Sequence, residues 1–186
     1  MPLHTVIDSA ADATARVLRG VKPDRLDAPT PCAEWDVRAL TNHLLQVVSA
    51  LHLAGRDAAV PGDLWARDLM TERGPEAFET TAGAAADAWR RPEVEERTVR
   101  FGEMPMPAPM VAAMLVSDLA IHGWDLARAT GQEYVCADDV ADVTLRFLVD
   151  GAEQGRQMGI YAAARPVDAD ASPFERALAL SGRAPV

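Results

Sequence analysis

The chain has 186 residues, of which 49% are hydrophobic and 5% aromatic, and its 18 basic and 28 acidic side chains leave a formal net charge of −10. This length and apolar content predict one folded domain spanning residues 1–186 and exclude a disordered chain. An acidic protein repels phosphate backbones and anionic lipid, so we expect no nucleic-acid partner and no membrane partner.

Cysteine usage and the N-terminus bear on the cellular compartment. The sequence contains two cysteines, Cys32 and Cys136, whose spacing provides neither a disulfide framework nor a cysteine-based zinc site. The N-terminus lacks the basic segment and apolar run of a signal peptide. We also find no stretch of about 18 apolar residues that would span a membrane. These features predict a cytoplasmic protein.

Apolar residues recur at three- and four-residue spacing in several long segments that are bounded by proline and glycine. The predicted helices are Leu3–Leu18, Asp36–Ala54, Pro75–Trp89, Pro109–Ala129 and Asp138–Gln154. A short helical piece is expected around Leu64–Met70. The sequence from Ser172 to Glu175 has the pattern of a capping box, which opens a last helix through Leu180.

The fold class that follows is all-α. The first four long helices are expected to pack as a four-helix bundle, with additional short helices at the C-terminus. Residues Arg97–Phe101 alternate like a strand but are too short to build a sheet. The prolines in the next segment, GEMPMPAP, break the chain again.

The helix predicted at Pro109–Ala129 carries two polar residues inside its apolar stripe. Asp118 and His122 are four residues apart, so their side chains share one face with Leu115 and Leu119. Burying a carboxylate costs free energy unless a partner compensates it. A hydrogen bond between the two side chains would provide that compensation, and so would a cation that both of them face.

The helix predicted at Asp36–Ala54 repeats this pattern. His43 lies three residues after Leu40 and four before Val47, and therefore also points toward the interior. Imidazole and carboxylate are common ligands of zinc and similar divalent metals, and helical bundles build such sites from facing helices. From the residues alone, a metal site and a buried hydrogen-bonded triad remain alternatives.

Two segments, TPCAEWDVRALTNHLL and LVSDLAIHGWDLARATG, carry a family resemblance, and SPFERALALSGRAP near the end adds to it. They resemble the DinB-like metal-binding superfamily, in the branch of the mycothiol-dependent maleylpyruvate isomerase N-terminal domain. The resemblance implies a DinB-like four-helix bundle in which His43, Asp118 and His122 hold one divalent metal, with zinc expected first and nickel as the alternative. In the isomerase the carboxylate is Glu. Asp118 is one methylene shorter, so the metal must lie closer to its helix.

The resemblance also implies a function. It predicts a metal- and thiol-dependent transferase or isomerase that acts on a small electrophile, with mycothiol or a similar small thiol as co-substrate. The alternative is a metal- or small-ligand-binding module without turnover. Bundles of this size often pair through a helix face, so a homodimer is an open possibility. Since the segment after Gly131 is short, we expect no counterpart of the isomerase's separate C-terminal domain.

Four neighbouring residues have less specific expectations. Trp35 is expected to pack across the start of its helix, and Cys32 to be structural. Asp125 has two interpretations: it orients a ligand histidine, or it bonds to Arg128 or to the loop that leads into the helix at Asp36–Ala54. His52 is expected to have a surface or core role outside the site.

Overall fold

Helices account for most of the chain in the structure, a computed structural model that describes residues 2–33 and 35–185. The helices are α1 (Leu3–Arg19), α2 (Val37–Gly55), α3 (Leu69–Arg73), α4 (Ala77–Trp89), α5 (Ala108–Thr130), α6 (Asp138–Gln157) and α7 (Pro173–Leu180). Two short strands, β1 (Thr98–Phe101) and β2 (Met104–Pro107), precede α5. The predicted all-α class is confirmed.

The four helices α1, α2, α4 and α5 form the bundle. Both α1 and α2 pack against α4 and against α5, so the four apolar stripes meet in one core. Leu40, Leu44 and Leu51 of α2 and Leu115 and Leu119 of α5 are fully buried there. Outside the bundle, α6 packs on α5 and α7 packs on α6, which gives the additional C-terminal helices that the sequence predicts.

Capping residues define several helix ends. Asp36 caps α2 by accepting a 2.7 Å hydrogen bond from the Ala39 amide. Gly131 ends α5 in the left-handed conformation, with φ of 70°. Ser172 and Glu175 form the predicted capping box at the start of α7. These caps fix where α2, α5 and α7 begin or end around the site described below.

The segment before α5 departs from the prediction. We expected Arg97–Phe101 to be too short for a sheet, but β1 pairs with β2 in an antiparallel two-stranded ribbon. The prolines do not prevent this pairing, because they alternate with Met104 and Met106, which keep their amide groups and lie opposite Phe101 and Val99. The ribbon also pairs with Val60, whose amide donates to the Arg100 carbonyl at 2.8 Å.

The connection from α2 to α4 also differs from the prediction. The expected helical piece at Leu64–Met70 is divided into a 3-10 turn, Gly62–Ala66, and the short helix α3. Gln46 of α2 separates the two, since its side-chain amide donates to the carbonyls of Trp65 and Arg67 at 3.3 and 2.8 Å. These hydrogen bonds hold Trp65 beside the face of α2 that carries His43.

Helix α5 is long and apolar enough to cross a membrane by length and composition, which the sequence-based expectation overlooked. In the described structure, 72% of its most apolar 18-residue window is buried inside the fold. Burial at this level is what the central helix of a bundle requires, because its neighbours cover it on most sides.

Candidate metal centre

The structure brings His43 of α2 together with Asp118 and His122 of α5. One potential ligand atom from each residue lies within 4.8 Å of the other two. The two imidazole rings meet edge to face, with centroids 5.1 Å apart and an interplanar angle of 88°. Since ligands about 2.0–2.2 Å from a common zinc ion are themselves 3–4 Å apart, small side-chain adjustments suffice to coordinate a cation.

His122 is oriented by a buried carboxylate one turn further along α5. Its Nδ1 donates to Asp125 Oδ2 at 3.0 Å, which leaves Nε2 with the lone pair. Asp125 also accepts two hydrogen bonds from the Arg183 guanidinium, at 2.7 and 3.2 Å. Of the two interpretations of Asp125, the structure supports the one that orients His122. The expected alternative, a bond to Arg128, is absent from the hydrogen bonds of the described residues.

The charge state of Asp125 follows from these partners. Burial disfavours its carboxylate, but the hydrogen bonds from His122 and Arg183 outweigh burial and hold the pKa of Asp125 below its ordinary value. The hydrogen bonds to Asp125 likewise raise the pKa of Arg183 against the effect of burial. Asp125 is therefore an ionised acceptor, as expected of a carboxylate behind a metal-binding histidine.

The ionisation of the other two residues suits a cation as well. Burial, together with the nearby His122, lowers the pKa of His43 to about 3, so its imidazole is neutral at physiological pH and able to donate a lone pair. Burial raises the pKa of Asp118, against the opposing influence of His122 and Arg183. A divalent cation between these groups would favour the ionised carboxylate and offset the cost of its burial.

Aromatic rings enclose the two imidazoles. The Trp35 ring centroid lies 4.6 Å from that of His43 and 5.4 Å from that of His122, and Trp65 lies 5.7 Å from His43 on another side. Trp65 in turn contacts Phe101 of β1 at 5.8 Å. We expected Trp35 to pack across the helix start, and it does more than this, since it contacts both site histidines.

A cavity of about 800 Å³ opens directly beside His43 and Asp118. Its wall is formed by α5, α6 and the β1–β2 ribbon, and it includes Trp65, Phe101 and Tyr161. Burial and the neighbouring Asp118 raise the pKa of Tyr161 to about 12, so its hydroxyl stays protonated. The volume falls within the range of small-molecule sites in proteins. His43 and Asp118 therefore border a pocket that can admit a ligand, and a potential ligand atom of His122 lies within 4.8 Å of theirs without being part of the described lining.

A second cluster shares one member with the first. Potential ligand atoms of Cys32, His122 and Asp125 also lie within 4.8 Å of one another. In that set the carboxylate of Asp125 already accepts hydrogen bonds from His122 and Arg183, whereas Asp118 forms no hydrogen bond with a described residue. The chemistry of the donors thus favours His43, Asp118 and His122. His52 does not line the cavity, in agreement with the expectation for it.

Three residues of the site were missed by sequence reasoning, namely Trp65, Tyr161 and Arg183. Each comes from a segment without strong periodicity, and Arg183 lies 58 residues beyond the Asp125 that it contacts. Only SPFERALALSGRAP, the C-terminal segment that carries part of the family resemblance, contained a signal for Arg183.

The fold and the site define a class: a helical bundle with a histidine–carboxylate cluster beside a cavity. A family model described as the mycothiol maleylpyruvate isomerase N-terminal domain matches residues 7–127. This match covers more than half of the chain and contains all three residues of the cluster. The chain belongs to that family.

Two curated proteins are similar to the chain in sequence. Uncharacterized proteins of Mycobacterium tuberculosis strains H37Rv and CDC 1551 are each 34% identical over 124 residues, which is 66% of this chain and 64% of theirs. The aligned part is thus less than two thirds of the length of these curated relatives.

Solved structures show the same fold. The crystal structure of the mycothiol-dependent maleylpyruvate isomerase superimposes with a TM-score of 0.63 at 16% identity, over 98% of this chain and 90% of that one. A histidine-to-alanine mutant of the isomerase gives a TM-score of 0.57 at 17% identity, over 83% and 73%.

Proposed function

We propose that the chain binds one divalent metal through His43, Asp118 and His122 and is a thiol-dependent transferase or isomerase of the mycothiol type. The observation that carries the proposal is the convergence of these three donors within 4.8 Å, two of which, His43 and Asp118, line a cavity of about 800 Å³. Zinc suits two imidazoles and one carboxylate, and nickel is the alternative.

The residues of the chain divide the work between binding and orientation. His43 and His122 would contribute neutral nitrogen ligands, and Asp118 an anionic oxygen. Asp125 holds the His122 ring through Nδ1, and Arg183 keeps Asp125 ionised and in position. Trp35 and Trp65 exclude water from two sides of the imidazoles. A divalent metal in such a three-ligand set lowers the pKa of a bound thiol or water.

Catalysis is favoured over simple metal storage by the cavity. Three protein ligands leave a position for substrate, and a closed four-ligand site would have no such opening. In this proposal a small thiol such as mycothiol and a small electrophile both enter the cavity from a cytoplasmic pool. The family assignment supports the thiol, because the matching family model is that of a mycothiol-dependent isomerase domain.

Metal stoichiometry tests the first half of the proposal. Tag-free protein incubated with zinc and then desalted should retain one equivalent, whereas His43→Ala and His122→Ala should retain far less than one. His52→Ala is the matched control, because His52 lies on the same helix as His43 but outside the cavity. Sub-stoichiometric zinc and nickel in folded wild-type protein would reject the metal site and leave a hydrogen-bonded triad.

Turnover tests the second half. Zinc-loaded protein is incubated with mycothiol and a panel of small electrophiles that includes maleylpyruvate, and conjugates or isomers are followed by mass spectrometry and absorbance. We expect turnover that requires both the metal and the thiol and disappears in His122→Ala. A fully metal-loaded protein that neither binds the thiol nor changes any electrophile would instead be a binding module.

A further inference from the structure

We propose that the cavity above the candidate metal centre is a binding site for a predominantly apolar ligand, so that the electrophile of this enzyme carries an alkyl or aryl body. The statement that the ligand is an electrophilic substrate rests on the proposed function. The binding site itself is argued only from the residues that line the cavity.

The apolar character comes from three separate elements. The β1–β2 ribbon contributes Phe101 and Met106, α5 contributes Met110 and Met114, and the chain that follows α6 contributes Ile160. Methionine and phenylalanine side chains have large apolar surfaces, and the flexible thioether of methionine adapts to ligands of varied shape. A ligand that enters past these residues loses contact with water along most of its length.

Three apolar side chains stand exposed at positions that line this cavity. Met110 is 51% exposed, Met158 67% and Ile160 60%, although all three are large hydrophobic residues. Exposed apolar surface that lines a concavity of about 800 Å³ is characteristic of small-molecule sites, since burying it against a ligand is favourable. Met110 and Met158 therefore provide apolar surface that the fold itself leaves uncovered.

Charge is sparse and local among the residues that line the cavity. Among the described residues of the lining, the charged side chains apart from Asp118 are Arg146 and Asp150, which lie one turn apart on the exposed part of α6. Their opposite charges largely cancel for a ligand in the cavity. A highly charged small substrate would find one cation and one neighbouring anion. An apolar body with a polar end toward Asp118 matches the lining better.

Linear 1-alkanols provide a probe that does not depend on the metal. Full-length protein carrying 13C-methyl methionine is titrated with 1-butanol, 1-hexanol and 1-octanol, in metal-free and zinc-loaded forms. We expect shifts at Met106, Met110, Met114 and Met158, and an affinity that rises about threefold to fourfold per methylene. The Met104 methyl, outside the cavity, should stay unchanged.

The matched variants are Met110→Gln combined with Met158→Gln, and Met104→Gln as the control. All three side chains are more than half exposed, at 51%, 67% and 63%, so none of the changes empties the core. We expect the double variant to weaken 1-octanol binding roughly fivefold or more and the control to leave it unchanged.

Equal affinities across the alkanol series, or shifts that include Met104, would overturn the proposal. The proposal would also be overturned if a second copy of the chain covered Met110 and Met158. Sedimentation velocity would then show a dimer that the double variant dissociates. Failure of the proposed function is a different result: zinc stoichiometry near zero with a normal alkanol series would remove the metal and keep the apolar site.

Discussion

His122 combines the features expected of a metal ligand, because one ring nitrogen is committed to Asp125 and the other lies near Asp118 and His43. Asp125 is fully buried and has two cationic or hydrogen-donating neighbours, His122 and Arg183. Its role is to orient His122, and a change at Asp125 should alter metal affinity without removing a ligand.

Asp125→Asn is expected to weaken zinc binding by about 10- to 100-fold, since the amide no longer fixes the Nδ1–H tautomer of His122. Competition with a chromophoric chelator measures this affinity. Asp87→Asn, in an exposed ion pair with Arg90, serves as the control and should bind zinc like the wild type. Unchanged affinity in folded Asp125→Asn would contradict the orienting role.

Asp118 links the site to stability through pH. Burial raises its pKa above the ordinary value of 3.8, so its contribution to folding is present below that value and is lost as pH rises through the folded-state pKa. At pH 7.5, above that ordinary value, burial of the Asp118 carboxyl group therefore makes the metal-free protein less stable than it is at pH 4. Asp118→Asn should raise the Tm of metal-free protein at pH 7.5 and leave it nearly unchanged at pH 4.

Calorimetry of the metal-free wild type and Asp118→Asn at both pH values measures the direction of this change in Tm. With excess zinc at pH 7.5 the wild type should instead have the higher Tm of the two proteins, because only the wild type gains the metal-binding free energy. A variant that is less stable than the wild type in metal-free buffer at pH 7.5 would show that Asp118 is stabilised by protein groups instead.

At the scale of elements, α5 is held close to α1 at the level of the site. Gly123 follows His122, and a Cβ at this position would lie 2.7 Å from the Tyr134 ring and 2.8 Å from Thr14 Oγ1. Thr14 itself donates to the Leu119 carbonyl at 3.0 Å, which ties α1 to the middle of α5. The close approach of these helices fixes the position of α5 relative to α1, and with it the positions of Asp118 and His122.

Gly123→Ala is expected to destabilise the protein by about 1–3 kcal/mol, since both the Tyr134 ring and the Thr14 side chain, which is hydrogen-bonded to the Leu119 carbonyl, would have to shift. Gly83→Ala is the matched control in α4, where a Cβ meets nothing within 4 Å. It should stabilise by about 0.5–1 kcal/mol, the ordinary preference of a helix for alanine. Urea unfolding measures both changes, and equal effects of the two substitutions would contradict the packing argument.

Some elements of the fold could be predicted from the sequence and others could not. Apolar periodicity and capping residues identified the long helices, because each of these signals is local. The β1–β2 ribbon was missed, since its stability comes from pairing two segments and from contact with Val60. Asp118, His122 and His43 could be found because each interrupts an apolar stripe. Trp65 and Arg183 could not, because tertiary contacts alone bring them to the site.

At the scale of the whole molecule, the candidate centre joins distant parts of the chain. It combines α2, α5, the turn that carries Trp65 and the segment after α7 that carries Arg183. A ligand that links such separated segments stabilises the folded state as a whole, because the unfolded chain cannot assemble the site.

Zinc at 100 times its dissociation constant is therefore expected to stabilise the protein by about 2.7 kcal/mol. For a chain of this size, that corresponds to a Tm increase of about 5–11 °C. Thermal unfolding with zinc and with excess chelator measures the difference. His43→Ala should lose the increase, while His52→Ala should keep it. An equal increase in all three proteins would indicate nonspecific zinc binding elsewhere on this acidic chain.

The position of the metal tests the central claim most directly. Crystals of zinc-loaded protein measured at the zinc absorption edge should give one strong anomalous peak, about 2.0–2.2 Å from one nitrogen of His43, one nitrogen of His122 and one carboxylate oxygen of Asp118. A peak bound instead by Cys32, His122 and Asp125, or no peak in this region of fully folded protein, would contradict the account.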